Sequence, residues 1–316
     1  MSEPPPSPAL LAPVLKRVFP AGGSQVERVT EGASTWVYRI LHGKETFYLR
    51  VLPEVGASFA PEVAVYVQAR KLGVKAPDVI WYEHHYEPLG RSIMVITEVA
   101  GRPLSQSSGL DRRAVDAILI EAGRDIARIN SIPVEGFGWL SRESDSMKLC
   151  APESSYRAFA LEHWEPDLAY LDASKTLPPA EIERLRQTCA RYDGWLDARD
   201  SALAHGDFDA TAIYQRDGRY TGIIDFGEAR GANRWYDLGH YHMRDGEYLS
   251  APTMRPLVRG YSEVAPLPRA CGRRIRFASL HITVRALSRS LRKRPPNRFT
   301  RHQLDVMRAD LAALAD

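Results

Sequence analysis

Two short apolar runs, each ending in aspartate, constrain this chain more than any other feature. ALAHGDF (202–208) and RYTGIIDF (219–226) flank AIYQ (212–215) and the turn RDGR (216–219). Asp-Gly at that turn is a hairpin signal. Two strand-end aspartates joined through a hairpin can meet at one mouth, which places Asp207 and Asp225 together. A group that holds an attacking hydroxyl and a carboxylate that holds a metal ion on phosphates need that arrangement. A lone Asp before Phe-Gly reads as a cap or turn residue. The pair, with His205-Gly206 ahead of the first member, points to phosphoryl transfer.

The rest of the chain divides around this insert. Residues 1–8 are rich in Pro and Ser and are expected to be disordered. A short helix is expected from Pro8 to Phe19. Alternating apolar residues then predict strands over 35–40 and 46–51, with HGK (42–44) as their turn. Pro61 opens a helix that Gly73 stops. Val79–Tyr82 and Ser92–Val99 read as further strands, and Gly101-Arg102-Pro103 as a connector. Beyond it, helical spacing covers Arg112–Ile129 and Pro179–Arg199 and resumes from about Trp235 to the end. GFGWL (136–140) and KRPPNRFT (293–300) read as loops, with Thr300 capping the last helix. The outline is an α+β fold: residues 1–101 as a β-rich lobe, residues 102–316 as a larger helical lobe, and a hinge near 98–103.

Composition narrows the partners. The chain has 316 residues and a net charge of +3, too little to argue for nucleic acid. Residues 264–304 nevertheless carry eleven Arg or Lys and no Asp or Glu. That run reads either as a solvated helix face paired with acids elsewhere or as a wall favouring anions. Cys150, Cys189 and Cys271 lie far apart, so neither a zinc site nor a disulfide framework is supported. Reduced thiols, no leader peptide and no long apolar run lead us to expect a cytoplasmic protein without a membrane span.

LAHGDFDATAIY and GIIDFGEARGANRWYDLGH resemble the aminoglycoside phosphotransferase and choline kinase-like family over about residues 30–250. The resemblance implies a bilobal protein kinase-like fold, a small-molecule hydroxyl acceptor, and ATP (or GTP) with Mg²⁺. It implies Asp207 as the catalytic base and Asp225 as the principal metal ligand. His205 and Gly206 shape the catalytic loop, with His205 holding it by a hydrogen bond. Asp237 braces that loop, or serves as a helix N-terminal carboxylate, or both. Arg50 matches the position of a cation on the α/β-phosphates, with Glu62 as its partner. EGASTWVY (31–38) matches the phosphate-covering loop, where Ser34 and Thr35 are candidate donors. The backbone at Glu98 and Ala100 falls where the hinge meets the nucleotide base.

One departure matters. Five residues past the base the family has an Asn that binds a second Mg²⁺, and this chain has Ala212. A methyl group cannot ligate a hard cation. Asp209 or Thr211 substitutes for it or one metal suffices; or the second metal is held mainly by Asp225 and the nucleotide itself; or the protein binds nucleotide without transferring phosphate and acts through interactions. The acceptor is left open. Glu162, Glu165 and Asp167, near Trp164 and Tyr170, form either a cation-binding wall or an acidic face paired with the basic run. Trp139 either lines the cleft or belongs to the core. Nucleic acid is not expected, because few aromatics interleave the basic run. The oligomeric state is not legible.

Overall fold

The computed structural model describes residues 4–30, 35–249 and 251–315. Alternating residues near the N-terminus form the strands β1 (Gln25–Val29), β2 (Trp36–His42) and β3 (Glu45–Val51), turning at Gly43-Lys44. Helix α1 (Pro8–Val18) precedes them and α2 (Ala60–Lys71) follows. Strands β4 (Val79–Tyr86) and β5 (Arg91–Thr97) complete an antiparallel sheet of order β1-β2-β3-β5-β4. β4 runs four residues beyond the expected strand, because Glu83 and Tyr86 still pair with Ile93 and Arg91. Pro6, in the segment expected to be disordered, accepts a hydrogen bond from the Tyr38 hydroxyl.

β6 (Arg102–Pro103) leaves the sheet and pairs with a hairpin described below. α3 (Arg112–Ile129) is capped by Asp111, whose side chain accepts from the Ala114 N–H at 2.8 Å. Its buried Ile118, Ala122, Ile126 and Ile129 recur at helical spacing. Residues read as the loop GFGWL contain β7 (Gly138–Trp139). Two paired residues are too few to show alternation, so sequence pattern misses such a strand.

α4 (Tyr156–Leu161), α5 (Trp164–Ala173) and α6 (Pro179–Arg191) follow. α6 stops eight residues short of the expected end; a 3₁₀ turn over 193–196 replaces it, and Arg157 draws in Asp193 and Asp197. Next come β8 (Ala202–Ala204), the hairpin β9 (Ile213–Arg216) and β10 (Arg219–Ile223), and β11 (Arg230–Ala232). β11 lies between β7 and β8, and β9 between β10 and β6. Helices α7 (Tyr236–Arg244), α8 (Met254–Val264), α9 (Cys271–Lys293) and α10 (Arg298–Ala315) end the fold. Asn297 caps α10 by accepting from the Thr300 N–H at 3.1 Å. Thr300 answers from the third helical position, accepting from the Asn297 N–H at 2.9 Å, a reciprocal box rather than the cap itself.

The sheet region meets the helical region at several places, among them the Ser58 N–H donating to the Arg142 carbonyl at 2.8 Å. At the connector, Arg102 pairs with Gln215 of β9. On the far side, the Lys75 N–H donates to Asp125 of α3 at 3.0 Å, and the Lys75 carbonyl accepts from the Ile223 N–H at 2.8 Å. Tyr220 also donates to Asp125, at 2.8 Å. A continuous core joins α2, α3, α7 and α8 around Phe208 and Phe226. No helix among the described residues is long and apolar enough to cross a membrane.

Candidate active site

The apolar β8 residues Leu203 and Ala204 anchor a loop that starts at the fully buried His205. A carbonyl only accepts, so the His205 Nε2–H donates to the Ile224 carbonyl at 2.8 Å. The other ring nitrogen accepts from the Asp207 N–H at 3.3 Å. One ring thus ties the loop carrying Asp207 to the strand end carrying Asp225. A second tie runs from the Ile224 N–H to the Ala212 carbonyl at 3.1 Å. Gly206 has φ +88°, and a Cβ there would overlap the Glu228 carbonyl, so only glycine fits.

Asp237 sits in the first turn of α7 with no exposed surface. Its carboxylate accepts from the His205 N–H and the Gly206 N–H, both at 2.9 Å, and from Asn130 Nδ2 at 2.8 Å. It therefore occupies a favourable helix N-terminus and braces the loop at once. Asn130 was not singled out by sequence. Its signal was an Asn at the C-terminal end of α3, where it also donates to the Leu203 carbonyl at 2.9 Å.

This bracing leaves the Asp207 carboxylate projecting, with its side chain 57% exposed. His240 is its neighbour, Nε2 to Oδ1 3.3 Å, while His240 Nδ1 faces the Phe208 carbonyl at 3.1 Å. Sequence reasoning passed over His240, although its place three residues after Asp237 puts both on one face of α7. Asp225 is exposed and adopts φ 68°, ψ 66°, a left-handed conformation that Asp tolerates better than most residues. Phe226 behind it is buried, edge-on to Tyr66 of α2 at 5.2 Å and against the His205 ring at 4.8 Å.

Arg50 of β3 and Glu62 of α2 form a buried ion pair. Burial alone would pull the guanidinium down. Glu62, then Tyr66 and Asp225, outweigh it, so Arg50 is held above its ordinary value. A Cβ built on Gly227 would lie 3.3 Å from Asp225 Oδ1 and 3.5 Å from Arg50 Nη2. The sheet cation and the Asp225 carboxylate thus meet at Gly227.

The remaining expected residues are placed as follows. Glu98 accepts from the Tyr48 hydroxyl at 3.3 Å and, with Ala100, leads into β6. Thr35 immediately precedes β2, and Ser34 lies outside the described residues. Asp209 is buried and does not point to an open metal position. Oδ1 accepts from the Thr211 N–H at 2.6 Å and its hydroxyl at 2.5 Å, and Oδ2 pairs with Arg244 at 3.0 Å. Among the described residues no cluster of three or more His, Cys, Asp or Glu forms a ready metal cage. The three cysteines are free thiols.

A cavity of about 500 Å³ opens beside Asp207. Trp139 lines it, 37% exposed, and donates to Glu228 at 3.0 Å. His281 also lines it, tilted against Trp164 with ring centroids 4.6 Å apart and Nδ1 against the Phe277 carbonyl at 3.0 Å. Burial pushes His281 down to about 4. Between that value and its ordinary 6.5, the unfolded chain binds a proton that the folded chain refuses. Stability is therefore full above pH 6.5 and lost as pH falls toward 4. From pH 7 to pH 5 the loss is about 2 kcal/mol. Urea unfolding at both pH values should show that loss shrinking in His281→Gln; an equal loss in the variant refutes the assignment.

Comparison with known proteins follows the same outline. The model of a family described as "Phosphotransferase enzyme family" matches residues 25–272. No curated protein matches the sequence. Solved structures do. The aminoglycoside phosphotransferase APH(4)-Ia superposes with a TM-score of 0.64 at 17% identity, over 98% of this chain and 97% of that one. A GDP and kanamycin complex of APH(2")-IIia gives 0.64 at 17%, over 96% and 98%. A candidate fructosamine-3-kinase from Thermobifida fusca gives 0.60 at 18%, over 96% and 99%. At such identities the likeness shows a shared fold.

Proposed function

The chain belongs to the phosphotransferase enzyme family, and from that premise we propose that it moves the γ-phosphoryl group of ATP or GTP to a hydroxyl of a small molecule. The observation that carries this reading is one hydrogen-bonded unit. Asp237 holds the backbone of 205–206, His205 holds Ile224, and the strand end beyond Ile224 presents Asp225 to Arg50.

In this reading Asp207 orients the acceptor hydroxyl and takes its proton as the oxygen bonds to the γ-phosphorus. The bond to the β,γ-bridging oxygen breaks, and the nucleoside diphosphate leaves with that electron pair. Arg50, kept charged and aimed by Glu62, lies against the α/β-phosphates. Thr35 and Ser34 cover them, and the backbone at Glu98 and Ala100 meets the base. Residues 1–101 then serve as the nucleotide lobe and 102–316 as the acceptor lobe of a cytoplasmic enzyme.

Asp225 fits a Mg²⁺ ligand: it is exposed, offers hard oxygens, and has no hydrogen bond from another side chain among the described residues. Mg²⁺ ordinarily takes one or two carboxylates plus phosphates, and when bound it neutralises charge on the transferring group. Asp209 does not fit, because both its oxygens are committed, and Ala212 offers none. We therefore favour one metal. Raising free Mg²⁺ at saturating MgATP should change the rate by less than about twofold; strong activation would show a second site.

The test of the function is ADP release from MgATP across hydroxylated acceptors, beside Asp225→Asn. Acceptor-stimulated release that vanishes in the variant supports the reading. MgATP binding with no release from any acceptor favours the alternative that Ala212 motivates, a nucleotide-binding protein with an interaction role.

A further inference from the structure

Four of the eleven cations of the basic run 264–304 line the cavity. Arg285, Arg289 and Lys293 recur every fourth residue on α9, which sets them in one stripe, and all three line the cavity with Asp207. Arg294 joins them at the end of the helix. Ala286 and Ser290, also four apart, form an adjacent row of small side chains that leaves room beneath the cations.

Of the five carboxylates that line the cavity, four have partners; the fifth is Asp207 itself. Asp167 is buried, pairs with Arg285 at 3.3 Å and accepts from Ser288 at 2.8 Å. Asp209 holds Arg244, and Glu228 holds Arg230 at 3.0 Å. Glu162 lies 3.1 Å from His163. Of the two sequence readings of the 162–167 acids, the geometry at Asp167 is therefore pairing with the basic run, and no free acidic wall remains for a polycation. Arg289, Lys293 and Arg294 are the counterpart: all three are exposed, and none has a carboxylate partner among the described residues. A concave site with unpaired charge of one sign concentrates ligands of the opposite sign.

We propose that the acceptor is a hydroxylated anion, whose phosphate or carboxylate is held by Arg289, Lys293 and Arg294 while a hydroxyl reaches Asp207. This rests on the phosphotransfer reading for the reaction, but the charge preference of the cavity can be read without turnover. Trp139 and Phe159, also in the lining, suit the uncharged part of such a molecule.

The experiment has two arms on the full chain. In the first, equilibrium binding of glucose 6-phosphate, gluconate, glucose and kanamycin is measured at low and at about 0.5 M salt, where screening over the cavity is nearly complete. Both anions are expected to bind at least tenfold tighter than glucose and kanamycin, with the preference lost in high salt. Their ratio tells a phosphate site from a carboxylate site. In the second arm, Arg289→Glu/Lys293→Glu is compared with Arg273→Glu/Arg301→Glu, which makes the same change of net charge outside the cavity. The cavity variant should lose at least tenfold in anion affinity and, where turnover is found, in kcat/KM; the control should not. Kanamycin or glucose binding as well as the anions, no anion binding at all, or equal losses in the two variants would overturn the proposal. ADP release without an anion preference would overturn it while leaving phosphotransfer standing. An anion preference with no ADP release from any acceptor would support the cavity and count against phosphotransfer.

Discussion

Asp207→Asn should lower acceptor-stimulated ADP release by about 10²- to 10⁴-fold, the range expected when a positioned proton acceptor is removed. Its stability should change by less than about 0.5 kcal/mol. The contrast follows from the geometry. The carboxylate projects from a loop that other groups hold, and its one close side-chain contact is His240 at 3.3 Å. Nothing in the loop depends on it, whereas the proposed proton transfer does. Asn keeps the shape and cannot take the proton. Single-turnover phosphate transfer and thermal unfolding, measured together, decide the matter. A variant keeping a tenth of the wild-type rate would remove Asp207 from its proposed role.

Asp237→Ala, by contrast, should cost both fold and activity. Its carboxylate is the acceptor for two buried backbone donors and for the Asn130 amide. A buried donor left without a partner costs about 1–3 kcal/mol. Three donors share one carboxylate and their losses do not add fully, so a total near 3 kcal/mol is expected. At about 1.5 °C per kcal/mol for a chain of this length, the Tm should fall by roughly 4–5 °C. Asp237→Asn retains one acceptor oxygen and should fall between the two. A Tm drop in Asp237→Ala no larger than that of an exposed control such as Asp200→Ala would show that the loop is held otherwise.

The parts of this site that could be read in advance are those written in local pattern. The two strand-end aspartates stand on either side of an Asp-Gly turn, and the turn itself announces their approach. Arg50 lies on a strand whose alternation is plain and Glu62 on a helix marked by Pro61 at its start and Gly73 at its stop, and the structure joins them in an ion pair. What escaped was non-local. His240 faces Asp207, and Asn130 holds Asp237, through packing between helices far apart in sequence. Asp209 looked available because its partner, Arg244, lies 35 residues away. The basic run was legible as composition; which way it faced depended on how α9 lies against α5 and α7, which no local rule supplies. Strands of two residues, β6 and β7, are set by their partners alone.

The two attachments between sheet and hairpin carry a mechanical consequence. Arg102 fixes one point through Gln215, and Lys75 fixes another through Ile223 and Asp125. A third link, from the Ser58 N–H to the Arg142 carbonyl at 2.8 Å, and the core shared by α2, α3, α7 and α8 add to them. A body held at three places and along a packed face has no free axis left to turn on. Arg50 and Asp225 therefore keep their spacing unless one of these links yields.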